Sequence, residues 1–166
     1  VPDIDETILP NEEGEALVLR LAKMKADKVA ALEFKTEERP KIILACDTIV
    51  LLENEILNKP NGADDAVKML HKLSGKSHEV ISGVALLTPK ESISFTCQTT
   101  VKVASLTSSL IASYVATNEP LDKAGGYGIQ GKGACLIESI NGSYTNVVGL
   151  PVYEVYQHLL KALNED

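Results

Sequence analysis

The run Ile42 to Leu52, IILACDTIVLL, is the most constraining feature of the chain: an apolar, β-rich stretch broken only by Asp47-Thr48. Such a run reads as a strand buried on both faces, and a carboxylate within it needs a reason to be there. A strand that ends by delivering polar groups into a crevice supplies one. Asp47 is therefore the anomaly around which a site is sought. Cys46 precedes it, but consecutive strand side chains face opposite sides, so Cys46 is assigned to core packing.

Two helical patterns flank this strand. Val18, Leu21, Ala22, Lys25, Val29 and Leu32 recur at helical spacing and form one stripe. Lys25 interrupts it, either as a snorkelling side chain that reaches water or as an inward-facing cation awaiting an anion. Ala63, Ala66, Val67, Leu70 and Leu73 form a second stripe, with Asp64 and Asp65 early and Lys68, His71 and Lys72 late, as the helix dipole favours.

Ser92 to Val103 alternates regularly, with Ile93, Phe95, Cys97, Val101 and Val103 on one face and Ser94, Thr96, Gln98, Thr100 and Lys102 on the other. This is a half-buried strand. It follows apolar Val80 to Leu87 across Thr88-Pro89-Lys90-Glu91, which predicts an antiparallel hairpin. Thr107 or Ser108 suits the cap of a short helix with Leu110, Ile111, Tyr114 and Val115. The segment Ala134 to Ile140 reads as another strand, Asn141-Gly142 as a turn, and Val152 to Leu163 as a terminal helix with Pro151 in its first turn.

Asn118 to Gly133 holds five of the eleven glycines, together with Asp122, Lys123 and Gln130. Glycines let a backbone approach phosphates or a flat base closely and adopt positive φ, though they also serve plain turns. This loop and Asp47-Thr48 are the two polar concentrations of the chain. Alternating helices and strands around them predict a single α/β domain with a mixed central sheet flanked by helices and a site between the two.

Composition narrows the function. The chain of 166 residues is 45% hydrophobic and 23% charged, ordinary for a globular domain. A formal net charge of -7, with lysines scattered among carboxylates, leaves no basic stripe to track polymeric nucleic acid. It does not exclude a nucleotide, since Mg²⁺ and a few lysines neutralise phosphates locally. Cys46, Cys97 and Cys135 are widely spaced without a metal pattern, which fits a reducing, cytoplasmic setting. No run approaches a membrane span. His71 and His158 read as surface or capping residues and His78 as a structural hydrogen-bond partner. Tyr144 is open to two readings, ligand contact or packing under the glycine-rich loop.

Several segments in fixed order resemble the Maf family of nucleotide pyrophosphatases: Asp3-Ile-Asp-Glu6, Ala22-Lys-Met-Lys25-Ala26, Ala45-Cys-Asp47-Thr48, Asn58-Lys59-Pro60, Leu73-Ser-Gly75 with His78, Asp122-Lys-Ala-Gly-Gly-Tyr-Gly-Ile-Gln-Gly131, and Asn141-Gly-Ser-Tyr144 with Val148-Gly-Leu-Pro151. The resemblance implies the Maf and inosine triphosphate pyrophosphatase-like architecture. It implies Asp47 as catalytic base, with Glu6, Lys25 and Lys59 lining the same pocket, and so favours the inward reading of Lys25. It further implies a divalent metal, Mg²⁺ with Mn²⁺ as a substitute, at Glu6 and Asp47, with Asp5 and Asp122 as alternative carboxylates.

Thr48, Asp122, Lys123 and Gln130 are then expected to bind substrate, Gln130 because an amide matches the C=O and N–H edge of uracil or thymine. The wording around Thr48 and Gln130 resembles the branch acting on dTTP and UTP rather than on 7-methyl-GTP. A homodimer is compatible with the resemblance. The alternatives are a catalytically weak nucleotide-binding module and a division-linked interaction protein on the same fold. The family pattern also begins with a strand and a Ser/Ala-rich turn bearing arginines, absent before Asp3, so an N-terminally shortened chain is expected.

Overall fold

The computed structural model describes residues 3–32 and 42–164. After an extended segment, α1 spans Gly14–Ala30, with Glu15 in its first turn and Lys28 in its last. Its buried stripe is Leu17, Val18, Leu21, Ala22 and Ala26. The predicted face is right, but Leu32 lies beyond the helix end and is exposed.

Strand β1 (Ile43–Leu52) turns at Glu53-Asn54, both at positive φ, into the short β2 (Glu55–Leu57). Helix α2 (Ala63–Leu73) leads to β3 (Ser77–Leu87), which forms the predicted hairpin with β4 (Ser92–Val103). Helix α3 (Ser108–Val115) follows, capped by Thr107, whose hydroxyl accepts from Leu110 N at 3.2 Å. The glycine-rich stretch contains three 3₁₀ turns, Glu119–Asp122, Ala124–Gly126 and Gly131–Leu136. Then come β5 (Ile137–Asn141), α4 (Tyr144–Val148) and α5 (Val152–Asn164).

The sheet order is β2-β1-β3-β4-β5. The expected α/β sheet flanked by helices is present, but each described pairing is antiparallel rather than mixed. β2 and β3 both run opposite to β1 and lie on either side of it, so the crossover through α2 joins co-directional strands without making them neighbours. The predicted strand from Ala134 also starts later, because Gly131–Leu136 is 3₁₀. Pro151 stands one residue ahead of α5, its carbonyl accepting from Val155 N at 3.0 Å.

The two sheet faces carry separate cores. Ile49 and Ile81 pack on Leu17, Val18 and Leu21, and Ala85 packs on Ala22 and Ala26. On the other face, Val50, Leu52, Val80, Val101 and Val103 meet Leu70 and Leu73 of α2, Ile111 and Tyr114 of α3, and Tyr127. Val84 and Leu86 meet Val155 of α5.

One residue sets how close α1 comes. A Cβ on Gly83 would lie 2.4 Å from the carbonyl carbon and oxygen of Val18. Gly83 pairs with Asp47 across the β1–β3 ladder. The missing side chain therefore admits α1 directly over β3, beside the β1 position that carries the anomalous carboxylate. No helix among the described residues is long and apolar enough to cross a membrane.

Candidate active site

β2 pairs only with Val50, Leu51 and Leu52. Among the described residues, the outer edge of β1 is therefore unpaired at Asp47 and Thr48, which point to opposite faces of the sheet. Two adjoining cavities meet there. One, of about 420 Å³, is lined by Glu6, Lys25, Asp47, Asn58 and Lys59. The other, of about 250 Å³, is lined by Asp122, Lys123, Tyr127, Gln130 and Gly149 among others. Thr48, Lys59 and Ala124 belong to both. All eight site residues expected from the sequence line one cavity or the other.

In the first cavity, Lys25 turns inward. Its Nζ donates to Asp47 Oδ1 at 2.5 Å and lies 3.0 Å from Glu6 Oε1. The side chains of Lys25 and Asp47 are each 13% exposed, whereas that of Glu6 is 58% exposed. Burial pulls the Lys25 pKa down, but the hydrogen bonds it donates to Asp47 and Glu6 outweigh it and raise the value. The ammonium is thus a fixed positive charge inside the cleft.

The extended segment that carries Glu6 is fastened by a contact that sequence patterns did not suggest. Arg20 on α1 makes a two-pronged bond to Glu12, Nε to Oε1 at 2.6 Å and Nη2 to Oε2 at 2.8 Å, and also donates to Thr7 O at 2.9 Å. This planar fork fastens the extended segment to α1 and holds the Glu12 pKa down at about 2. Lys59 follows β2, and the Asn58 carbonyl beside it accepts from Gly125 N at 3.2 Å. Gly125 has φ +71°, and a Cβ there would press on Val50 at 3.0 Å. Lys59 makes no ion pair among the described residues.

The second cavity lies on the face of Thr48. Thr48 Oγ1 pairs with Ser82 Oγ at 2.8 Å and donates to Gly149 O at 3.3 Å. Cys46, on the same face, donates its Sγ–H to Gly149 O at 3.2 Å, and burial raises its thiol pKa. Raised pKa disfavours thiolate chemistry, in keeping with its packing role. Asp122 is exposed and ion-paired with Lys123 at 2.6 Å; that bond lowers the Asp122 pKa. Gln130 is exposed at the rim.

The cavity wall from Val147 to Gly149 is anchored by Asn146, a residue the sequence did not single out. Its fully buried side chain donates to Val80 O and Thr99 Oγ1, both at 3.0 Å. In the run Ser143-Tyr-Thr-Asn-Val-Val148 no local pattern sets it apart. Tyr144 is 45% exposed and lines neither cavity. His158 stacks on Phe95 with ring centroids 4.2 Å apart, and His71 is exposed.

His78 is 2% exposed, and its Nε2 pairs with the Tyr127 hydroxyl at 2.7 Å, the structural role expected for it. Burial pushes its pKa down from 6.5 to about 4. The unfolded chain therefore takes up this proton first as pH falls, so the stabilising effect is complete above about 6.5 and is lost toward 4. Between those values the loss is expected to reach about 1.4 kcal/mol per pH unit. Urea midpoints of wild type and His78→Gln at neutral pH and near pH 5 test this. The wild type should lose more on acidification, and equal losses would remove His78 from the pH response.

Comparison with known proteins decides the family. The family model described as Maf-like protein matches residues 1–162. The chain belongs to the Maf-like family. A relative from Shewanella denitrificans named dTTP/UTP pyrophosphatase is 47% identical over 165 residues, covering 99% of this chain and 82% of the relative. Relatives of the same name from Shigella sonnei and Escherichia coli K12 are each 45% identical over 159 residues, covering 96% of this chain and 79% of the relative. The Maf-like chain thus joins a polar lysine–carboxylate cleft to a partly apolar cavity across one strand edge.

Proposed function

We propose that this Maf-like protein is a Mg²⁺-dependent pyrophosphatase that hydrolyses dTTP and UTP to the monophosphate and pyrophosphate. The observation that carries the reading is the junction of the two cavities at Thr48 and Lys59. A nucleotide needs both kinds of space, a flat apolar slot for its base and a cationic cleft for its phosphates. The names of the relatives agree with it.

Phosphoryl transfer asks the protein chiefly for positioning and charge stabilisation. Lys25 and Lys59 supply point charges toward the triphosphate. Asp47 orients a water and accepts its proton, the work of a general base. For this, the Lys25 ammonium has to share its hydrogen bonds between Asp47 and phosphate oxygens.

Among the described residues, no three His, Cys, Asp or Glu side chains form a ready metal cage. The donor set still suits Mg²⁺, which takes one or two carboxylates and completes its shell with water and phosphate. Asp47 and Glu6, two hard oxygen donors converging on the Lys25 ammonium, are the residues that would hold it. When bound, the ion neutralises phosphate charge. Gln130 presents an amide to the base, and Thr48 closes the slot at its junction with the cleft.

The test is pyrophosphate release from UTP, dTTP, CTP, ATP, GTP and 7-methyl-GTP, with Mg²⁺ and with chelator. UTP and dTTP should lead, and chelator should abolish turnover. Release from 7-methyl-GTP alone would sink the substrate assignment.

A further inference from the structure

The glycine-rich loop is fastened from beneath by a pair of side chains that touch neither cavity's chemistry. Glu119 opens the 3₁₀ turn Glu119–Asp122. Its Oε1 accepts from the Tyr114 hydroxyl at 3.1 Å and from Gly133 N at 2.9 Å, and its Oε2 accepts from Lys132 N at 2.9 Å. The Tyr114 hydroxyl in turn accepts from Gly128 N at 3.1 Å. Tyr114 is buried on α3. Gly128 precedes Gln130, and Lys132 and Gly133 follow it, so the backbone is pinned on both sides of that residue.

The glycines fit this arrangement closely. Gly131 has φ +68°, and a Cβ there would lie 2.8 Å from Glu119 Oε2. A Cβ on Gly133 would lie 2.2 Å from Gly128 O and 2.7 Å from the Tyr114 hydroxyl. These two positions need glycine because the loop closes over Glu119 and Tyr114. Gln130 itself has extended backbone, φ −93° and ψ 164°, and its side chain is exposed. Its presentation depends on the backbone pins.

We infer that Glu119, acting with Tyr114, is a positioning residue for base selection, holding loop 128–133 so that the Gln130 amide faces the base at the correct height. The inference rests on the reading of Gln130 given above. The chemistry requires a carboxylate. Three donors converge on one side chain, and only an ionised carboxyl group offers acceptor sites on both oxygens. An amide of the same shape keeps one acceptor and turns an N–H donor toward a backbone N–H. Glu119→Gln therefore releases one side of the loop with almost no change in volume.

The experiment compares UTP with CTP, which differ at the base edge that Gln130 faces, in wild type, Glu119→Gln, Tyr114→Phe and Gln130→Ala. KM and kcat are measured separately, and amide hydrogen exchange is followed at residues 128–133. Glu119→Gln is expected to reduce the UTP/CTP ratio of kcat/KM about tenfold or more, toward that of Gln130→Ala, since a bidentate contact of this kind discriminates on that scale. The change should appear in KM for UTP with kcat held within about twofold, and exchange at Lys132 and Gly133 should accelerate. Tyr114→Phe should give the same change in smaller measure, and it decides the matter if Glu119→Gln does not fold.

A purely structural role would lower stability and scale both substrates alike. A wild-type ratio in Glu119→Gln or, failing that protein, in Tyr114→Phe, with the ratio collapsed in Gln130→Ala, would overturn the inference alone. A wild-type ratio in Gln130→Ala would overturn the base reading and the inference with it.

Discussion

Asp47→Asn is expected to slow pyrophosphate release from UTP by about 10²- to 10⁴-fold, the range typical of a lost general base. The substitution preserves shape and keeps one oxygen for Lys25, but an amide does not take up the proton of an attacking water. Lys25 retains Glu6 at 3.0 Å, so the inward cation is not left alone. The loss should fall on kcat and kcat/KM together, as it does when an interaction made only in the transition state is removed. A folded Asp47→Asn protein that hydrolyses UTP at the wild-type rate would take Asp47 out of the mechanism.

Gly83→Ala is expected to lower stability by roughly 1–3 kcal/mol, the usual cost of overpacking. The added carbon would meet Val18 C and O at 2.4 Å and Leu19 N at 2.6 Å. All three are backbone atoms, so no rotamer change relieves the clash. Either α1 lifts from the sheet or β3 bends. At this chain length each kcal/mol corresponds to about 2–4 °C in Tm, readable by circular dichroism. Because Gly83 pairs with Asp47 and Lys25 rides on α1, lifting the helix also separates the ion pair. Activity should fall with stability, and an unchanged Tm would show that α1 does not depend on this contact.

Local pattern carried much of the fold. The alternation in β4 was legible because one face, with Ile93, Phe95, Val101 and Val103, packs into the cores, and Thr107 was legible as a cap because a hydroxyl there has one evident use. Strand direction was not, because it depends on β2 being too short to do more than reverse the chain beside β1. The start of β5 was missed because a 3₁₀ segment with Leu136 buried is as apolar as a strand. The terminal helix was legible, but not its buried face: Val152, Tyr156 and Leu163 are exposed, whereas Val155 and Ala162 are buried.

Within the site, Asp47 stood out as a carboxylate in an apolar run, and resemblance gathered the other residues around it. Their support was invisible to local reading. Gly83 matters because of Val18, Glu119 because of Lys132 and Gly133, and Arg20 because of Glu12. Each is a non-neighbour contact, recognisable only when the partner is seen.

The most direct test of the account is the identity of the products. Phosphorus NMR of UTP incubated with the protein and Mg²⁺ is expected to show UMP and pyrophosphate appearing together in equal amounts, with no UDP. UDP with inorganic phosphate, or unchanged UTP, would contradict the assignment of this cleft to hydrolysis between the α and β phosphates.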